Sequence, residues 1–384
     1  MSRRPFRCRK CLGGSGRPAP FCHCHGSHRI GIRGRPQHQP LPASGGQFPN
    51  RPFGVEGPIS GPSIPPQVLT SQNPVSAGPH APDTSPRLKR WLGPFYVTGV
   101  FWYRLHFFGA TRTPRFLPRL ILPFFTLFFF FALRRIRNAV ASNLEVVLGP
   151  CGFWQRQGRI WRSLYGFSWC LTERYEQFAP NRPIQLQTEG FDHWQRLLDG
   201  GSGFILLTGH IGNWEAASAL PASRNMATIH LVREPEGNPE AQAFIADILQ
   251  KHGGDRYRTH FAAEDPSLAL ALLAALRRGE VVALQGDRPR QNGRQRTVSL
   301  FDRPFPLPEG TVTLARHGQA PILPVFVFRT GRLQYRLVFR KPIPVEEGGE
   351  QKALDAFASE LEWAIRQAPY QWFCFRELWP KVRS

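Results

Sequence analysis

Four consecutive apolar residues, Phe204 to Leu207, stand inside the run G-F-I-L-L-T-G-H-I-G-N-W-E that spans Gly203 to Glu215. A run that short and that apolar reads as a buried strand, and Thr208-Gly209 supply the break that ends it. His210 therefore follows a strand end, which is where open α/β sheets bind ligands. Glu215 comes after four intervening residues, at the mouth of a helix predicted to continue through Leu220.

A neutral imidazole takes a proton from a hydroxyl near neutral pH, and a neighbouring carboxylate fixes its tautomer and stabilises the imidazolium. On an ideal helix, positions five apart lie about 140° apart around the axis. His210 and Glu215 meet only if the histidine sits in the loop and Gly209 and Gly212 bend the backbone, so that Glu215 reaches back from the first turn. The alternative is a satisfied core histidine beside a solvent-facing glutamate.

The rest of the chain alternates in kind. Residues 153–178 read as an aromatic helix that Pro180 and Pro183 end. Strands are expected at 184–187, 204–207, 227–232, 280–284, 297–301, 322–329 and 333–340, the last two joined through Thr330-Gly331-Arg332. Helices are expected at 191–198, 239–252, 266–278 and 352–367, and one begins at 311–317. This pattern argues an α/β sheet with helices packed on it.

Aromatic residues set the domain boundary. Every Trp and Tyr lies from Trp91 onward, while residues 1–88 are rich in Pro, Gly, Ser, His and Arg. Such a composition builds no packed core and implies a disordered basic tail. The first 90 residues hold half of the +22 net charge, so the remainder is basic in its own right. That suits anionic lipid, an acidic carrier protein or nucleic acid. Cys8, Cys11, Cys22 and Cys24 could together hold one zinc, but the one-residue spacing of the second pair and the lack of apolar neighbours argue against it. Cys151, Cys170 and Cys374 make no disulfide framework, which favours a reducing compartment.

Residues 89–150 form a separate segment. Leu120 to Leu133, L-I-L-P-F-F-T-L-F-F-F-F-A-L, is the most apolar stretch of the chain. Its length of about 21 Å falls short of the roughly 30 Å hydrocarbon core. We expect a membrane-embedded or interfacial helical hairpin bent at Pro118 and Pro123, with Arg134, Arg135 and Arg137 at the head groups. A buried core helix is the alternative.

Arg233 stands just past the predicted strand 227–232, where a guanidinium could grip a phosphate or an oxyanion. Asp287, in Q-G-D-R-P-R, likewise follows an apolar run, and a turn-capping role is the competing reading. No serine nucleophile elbow fits, because Ser202 precedes its strand. P-loop and dinucleotide glycine patterns are missing as well. A basic, non-catalytic nucleic-acid-binding protein is a rival class, but its tail carries no Trp or Tyr to interleave with the charges.

The run T-G-H-I-G-N-W-E resembles the histidine, four residues, acid motif of glycerolipid acyltransferases. In its Gly-Asn-Trp filling it is similar to the bacterial lipid A biosynthesis lauroyl/myristoyl acyltransferase family, and the resemblance extends from Trp91 to the C-terminus. It implies a mixed sheet flanked by helices in residues 151–384, preceded by the membrane-associated segment. The implied reaction moves a fatty acyl group from an acyl carrier protein or coenzyme A thioester to a hydroxyl of a lipid A precursor or related glycolipid. A lysophospholipid acceptor is the alternative. His210 would be the base and Glu215 its orienting partner, with Arg233, Asp287, Arg288, Glu309 and Gly310 binding substrate. Neither a metal nor a cofactor is implied, and the implied location is the cytoplasmic face of the inner membrane. Pro308-Glu309-Gly310-Thr311 and Ala320 to Val325 resemble two further blocks of these enzymes. Leu300-Phe301-Asp302 departs from a Phe-Phe-Gly common in the lipid A branch, and Glu309 leans toward the glycerolipid pattern.

Overall fold

The structure, a computed structural model, describes residues 100–179, 182–219, 227–234, 239–253, 257–262, 266–288 and 293–379. The tail expected over 1–88 and its four cysteines lie outside those residues.

The strands are β1 (Gln185–Glu189), β2 (Phe204–Thr208), β3 (Ile229–Arg233), β4 (Tyr257–Phe261), β5 (Val281–Gln285), β6 (Gln295–Leu300), β7 (Arg303–Pro308), β8 (Ile322–Gly331) and β9 (Gln334–Phe339). Seven of them form one sheet in the order β1-β9-β8-β2-β5-β3-β4. The five from β8 to β4 run parallel, β9 is antiparallel to β8, and β1 is parallel to β9. The sheet is thus mixed and mostly parallel. Phe204, Ile205 and Leu207 of β2 are buried on both faces, as an unbroken apolar run requires.

The helices are α1 (Val100–Arg112), α2 (Leu117–Ala132), α3 (Arg134–Leu148), α4 (Phe153–Glu176), α5 (Phe191–Asp199), α6 (Pro239–Gly253), α7 (Pro266–Arg277), α8 (Gly310–Gly318) and α9 (Glu350–Gln367). On one sheet face Ile205, Leu207, Ile322 and Phe326 pack with Leu354, Phe357 and Leu361 of α9. On the other, Phe204, Val281 and Val325 pack with Trp194 of α5. Each fully buried Leu, Ile or Phe here contributes about 1.5–3 kcal/mol relative to exposure.

Two strands escaped the sequence reading. β4, Y-R-T-H-F, is half-buried and polar. β7 carries Pro304, Pro306 and Pro308 at alternate positions, so that Phe305 and Leu307 between them point into the core. Proline is tolerated there because, among the described residues, β7 has only β6 as a partner and needs N–H donors on one side alone. The turn joining them, Phe301-Asp302, has both residues at positive φ, as a two-residue primed hairpin demands. Phe301 holds that conformation while its N–H donates to Glu362 at 2.6 Å and its ring lies under Arg366.

The N-terminal helices also differ from expectation. Pro118 sits in the first turn of α2, where its missing N–H costs nothing, and α2 continues through Pro123. The chain bends instead at Leu133, where α2 and α3 meet at 94°. No single described helix is long and apolar enough to cross a membrane.

Helix α4 is bound to the sheet by buried ion pairs. Glu173 accepts from Arg329 of β8 at 2.7 Å and from the Tyr335 hydroxyl of β9 at 2.5 Å, and Glu176 from Arg182 at 3.0 Å and from Arg332. Helix α1 leans on the same helix through His106, whose Nε2 lies 3.1 Å from the Thr172 hydroxyl and whose ring meets Tyr175 edge-on. Burial, with the nearby Arg174 charge, pushes the His106 pKa down to about 4. The unfolded chain takes up this proton near pH 6.5 and the folded chain does not until about 4. Stability present above pH 6.5 should therefore fall by about 3 kcal/mol between pH 6.5 and 4. Denaturant melts of wild type and His106→Gln over that range check this, and the variant should lose that part of the slope.

Candidate active site

The parallel strands bring three of the singled-out residues to one edge. Thr208 of β2 pairs with Gln285 of β5, so His210 and Asp287, each two residues further on, leave the sheet level with one another. Extending the β3–β5 register puts Arg233 beside Gln285. All three occupy the carboxyl ends of adjacent strands, the place that the apolar runs before them indicated.

The loop after β2 needs its glycines. Gly212 has φ +60°, and a Cβ there would lie 2.2 Å from the Val327 carbonyl oxygen. A Cβ on Gly209 would come within 2.9 Å of Leu361 and press on the Asp287 side chain. The close approach of the loop to Asp287 depends on that gap. Glu215 then lies in a 3₁₀ turn, Trp214–Ala219, where an α-helix was expected.

His210 does not meet Glu215. Its Nδ1 lies 2.6 Å from Oδ1 of Asp287, and its backbone N–H donates to Oδ2 at 2.9 Å. Asp287 is wholly buried and accepts a further bond from the Trp372 indole N–H at 3.0 Å. Burial pushes its carboxyl up, but the His210 ring, the bonds from His210 and the Arg288 charge outweigh that and hold it well below the usual carboxylate range. An ionised carboxylate only accepts, so Nδ1 carries the proton and Nε2 presents a lone pair. The His210 side chain is 23% exposed, enough for a substrate hydroxyl to reach it.

Glu215 faces two arginines. Its Oε1 receives Nη1 of Arg233 at 2.5 Å, and its Oε2 receives Nε of Arg174 from α4 at 2.5 Å. Burial raises the carboxyl, and the two guanidinium charges with their hydrogen bonds more than reverse it. Two guanidiniums thus share one buried carboxylate. Arg233 also lies over the Trp214 ring, with 5.3 Å to its centroid.

The remaining expected residues are spread out. Arg288 donates to the Phe373 carbonyl at 2.7 Å and so braces the C-terminal stretch. Glu309 accepts from Arg296 of β6 at 2.7 Å, and Gly310 opens α8 with open space at its Cα. No hydrogen bond joins either of them to His210 among the described residues. Arg174 and Trp372 were missed by sequence reasoning, because each meets the site only through the fold. Among the described residues no group of His, Cys, Asp and Glu is arranged to hold a metal.

Residues 88–381 match the family of bacterial lipid A biosynthesis acyltransferases. Phosphatidylinositol mannoside acyltransferases of two Mycobacterium tuberculosis strains, CDC 1551/Oshkosh and H37Rv, are each 24% identical over 256 residues, covering 62% of this chain and 75% of theirs. The crystal structure of the 1-acyl-sn-glycerophosphate acyltransferase of Thermotoga maritima matches 68% of this chain and all of that one, at 13% identity and a TM-score of 0.33.

Proposed function

Since the chain belongs to the bacterial lipid A biosynthesis acyltransferase family and is thus an acyltransferase, we propose that it moves a fatty acyl group from a thioester to a hydroxyl of a lipid A precursor or related glycolipid. The observation that carries the mechanism is the His210–Asp287 pair, with Nδ1 bound to a buried carboxylate and Nε2 open to substrate. The acceptor hydroxyl gives its proton to Nε2 as its oxygen attacks the thioester carbonyl carbon. The tetrahedral adduct then expels the thiolate, which takes the proton from the imidazolium as the free thiol. An ester has formed and a thioester has broken, with no acyl-enzyme required.

Arg233, with Arg174 behind the same carboxylate, supplies positive charge for a phosphate of the acceptor or of the donor's prosthetic group. The donor is an acyl carrier protein or coenzyme A thioester. A glycolipid acceptor is supported by the mycobacterial relatives, whose names give phosphatidylinositol mannoside as what they acylate.

The working site is the cytoplasmic face of the inner membrane. Attachment to a membrane is supported by α2, where Leu120, Ile121, Phe124, Phe125, Phe128 and Phe131 are exposed. Arg119 precedes that apolar surface, and Arg134, Arg135 and Arg137 follow it. An apolar face with cations at its ends suits a helix lying in the interface or dipping into one leaflet.

The test is transfer of a radiolabelled long-chain acyl group, from acyl carrier protein and from coenzyme A in parallel, with the full chain in anionic phospholipid vesicles. Labelled product is expected on a glycolipid acceptor, and the protein should stay with the vesicles in high salt. Labelling of lysophosphatidate alone would replace this reading with the lysophospholipid one. Release of active protein by salt alone would show that the attachment is electrostatic.

A further inference from the structure

The C-terminal stretch 369–378 takes no part in the reaction written above, yet its residues 371–373 lie against the loop that carries His210. Phe373 N–H donates to the His210 carbonyl at 2.8 Å, and Gly212 N–H to the Gln371 carbonyl at 3.0 Å. The Gln371 side chain brackets the Arg329 backbone, accepting from its N–H and donating to its carbonyl. From the other side, Asn143 of α3 donates to the carbonyls of Cys374 and Arg376 and accepts from the Leu378 N–H. The stretch is fixed at both ends, and between them it delivers one side-chain donor to the centre.

That donor is the indole N–H of Trp372, 4% exposed, which meets Oδ2 of Asp287 at 3.0 Å. The His210 backbone N–H occupies the same oxygen at 2.9 Å, so two donors hold Oδ2 and leave Oδ1 for Nδ1 at 2.6 Å. A buried indole needs some acceptor. Here the acceptor is the carboxylate that orients the base.

We propose that Trp372 is a positioning residue for acyl transfer: its indole N–H locks the Asp287 carboxylate so that Oδ1 is the oxygen turned to the His210 ring, and by drawing charge onto Oδ2 it sets how strongly Asp287 stabilises protonated His210. This rests on the reading of His210 as the base. The other charged and titratable groups against Asp287 do not blur it. Arg288 is a permanently charged guanidinium. The Cys374 thiol, pushed up to about 11 by burial and the Asp287 charge, stays neutral in the working range.

Two variants test the proposal. Trp372→Phe removes the N–H and keeps an apolar ring. Benzothienylalanine at the same position keeps the shape of the indole with sulfur in place of the N–H, so it carries the test even if the smaller ring does not fold. Both should lower kcat by roughly ten- to thirty-fold with KM unchanged, the scale of one hydrogen bond to a charged group. The sharper readout is the acid limb of the kcat/KM profile. Without the donor, more negative charge faces the imidazolium, its protonated form gains, and the limb should move to higher pH by roughly half a unit. A merely structural tryptophan would lower activity along with the melting temperature and leave the limb in place, and that result in the benzothienyl variant overturns the proposal. His210→Ala is run alongside. Loss of its activity together with unshifted Trp372 variants overturns only the role of Trp372, whereas full activity of His210→Ala overturns the base reading as well.

Discussion

Asp287→Asn should lower kcat by roughly 10³- to 10⁴-fold while the protein stays folded, the scale of the same change in the Asp–His pair of a serine protease. The Asn amide can turn its NH₂ toward Nδ1, which then must accept, and the proton moves to Nε2. His210 becomes the wrong tautomer to take a proton from the acceptor hydroxyl. Oδ2 accepts from Trp372 and from the His210 backbone, and either contact is compatible with an amide oxygen at that place. The side chain is therefore held in shape while its chemistry is lost. Steady-state kinetics with circular dichroism separate the two, and KM should change little because Asp287 is buried away from substrate.

Glu215→Ala should act mainly on stability. Its carboxylate is 6% exposed and is shared by Arg174, 19% exposed, and Arg233, 11% exposed. Removing it brings two cations together in a partly dry site, and breaking a buried ion pair in this way costs about 3–5 kcal/mol. The lower end applies here, because both arginines keep some contact with water. Denaturant unfolding should show a loss of about 3 kcal/mol. Any folded fraction should have a raised KM, since Arg233 loses the carboxylate that holds it at the sheet's carboxyl edge. Adding Arg174→Ala should recover part of the stability by removing one of the two cations, a coupling that a double-mutant cycle measures.

The strand ends were legible because a buried parallel strand announces itself as an apolar run. The residue just past such a run reaches the sheet's carboxyl edge, so His210, Arg233 and Asp287 could each be singled out from local sequence. What local sequence could not rank was which acid faces the histidine. Glu215 is five positions away but is turned toward α4 in a 3₁₀ turn, while Asp287 is 77 positions away and level with His210 across the β2–β5 register. Spacing along the chain favoured the wrong partner because it carries no information about register. Trp372 and Arg174 were invisible for the same reason. The prolines misled in two directions, since Pro123 lies inside a continuous helix and β7 is a strand despite three of them. In both places proline removes an N–H, and the neighbouring structure absorbs the loss. Glu309 and Gly310 are at the start of α8, and the contacts Glu309 makes are those of an ion pair with β6.

The most direct test of the account is kcat of Asp287→Asn against that of Glu215→Gln, measured in the same vesicles with the same donor and acceptor. Glu215→Gln keeps the shape and an acceptor oxygen for one of the two arginines, so it should retain turnover within roughly ten-fold of wild type, whereas Asp287→Asn should fall by 10³-fold or more. The reverse order, with Asp287→Asn active and Glu215→Gln dead, would show that Glu215 orients the base and that the Asp287–His210 contact is not the catalytic one.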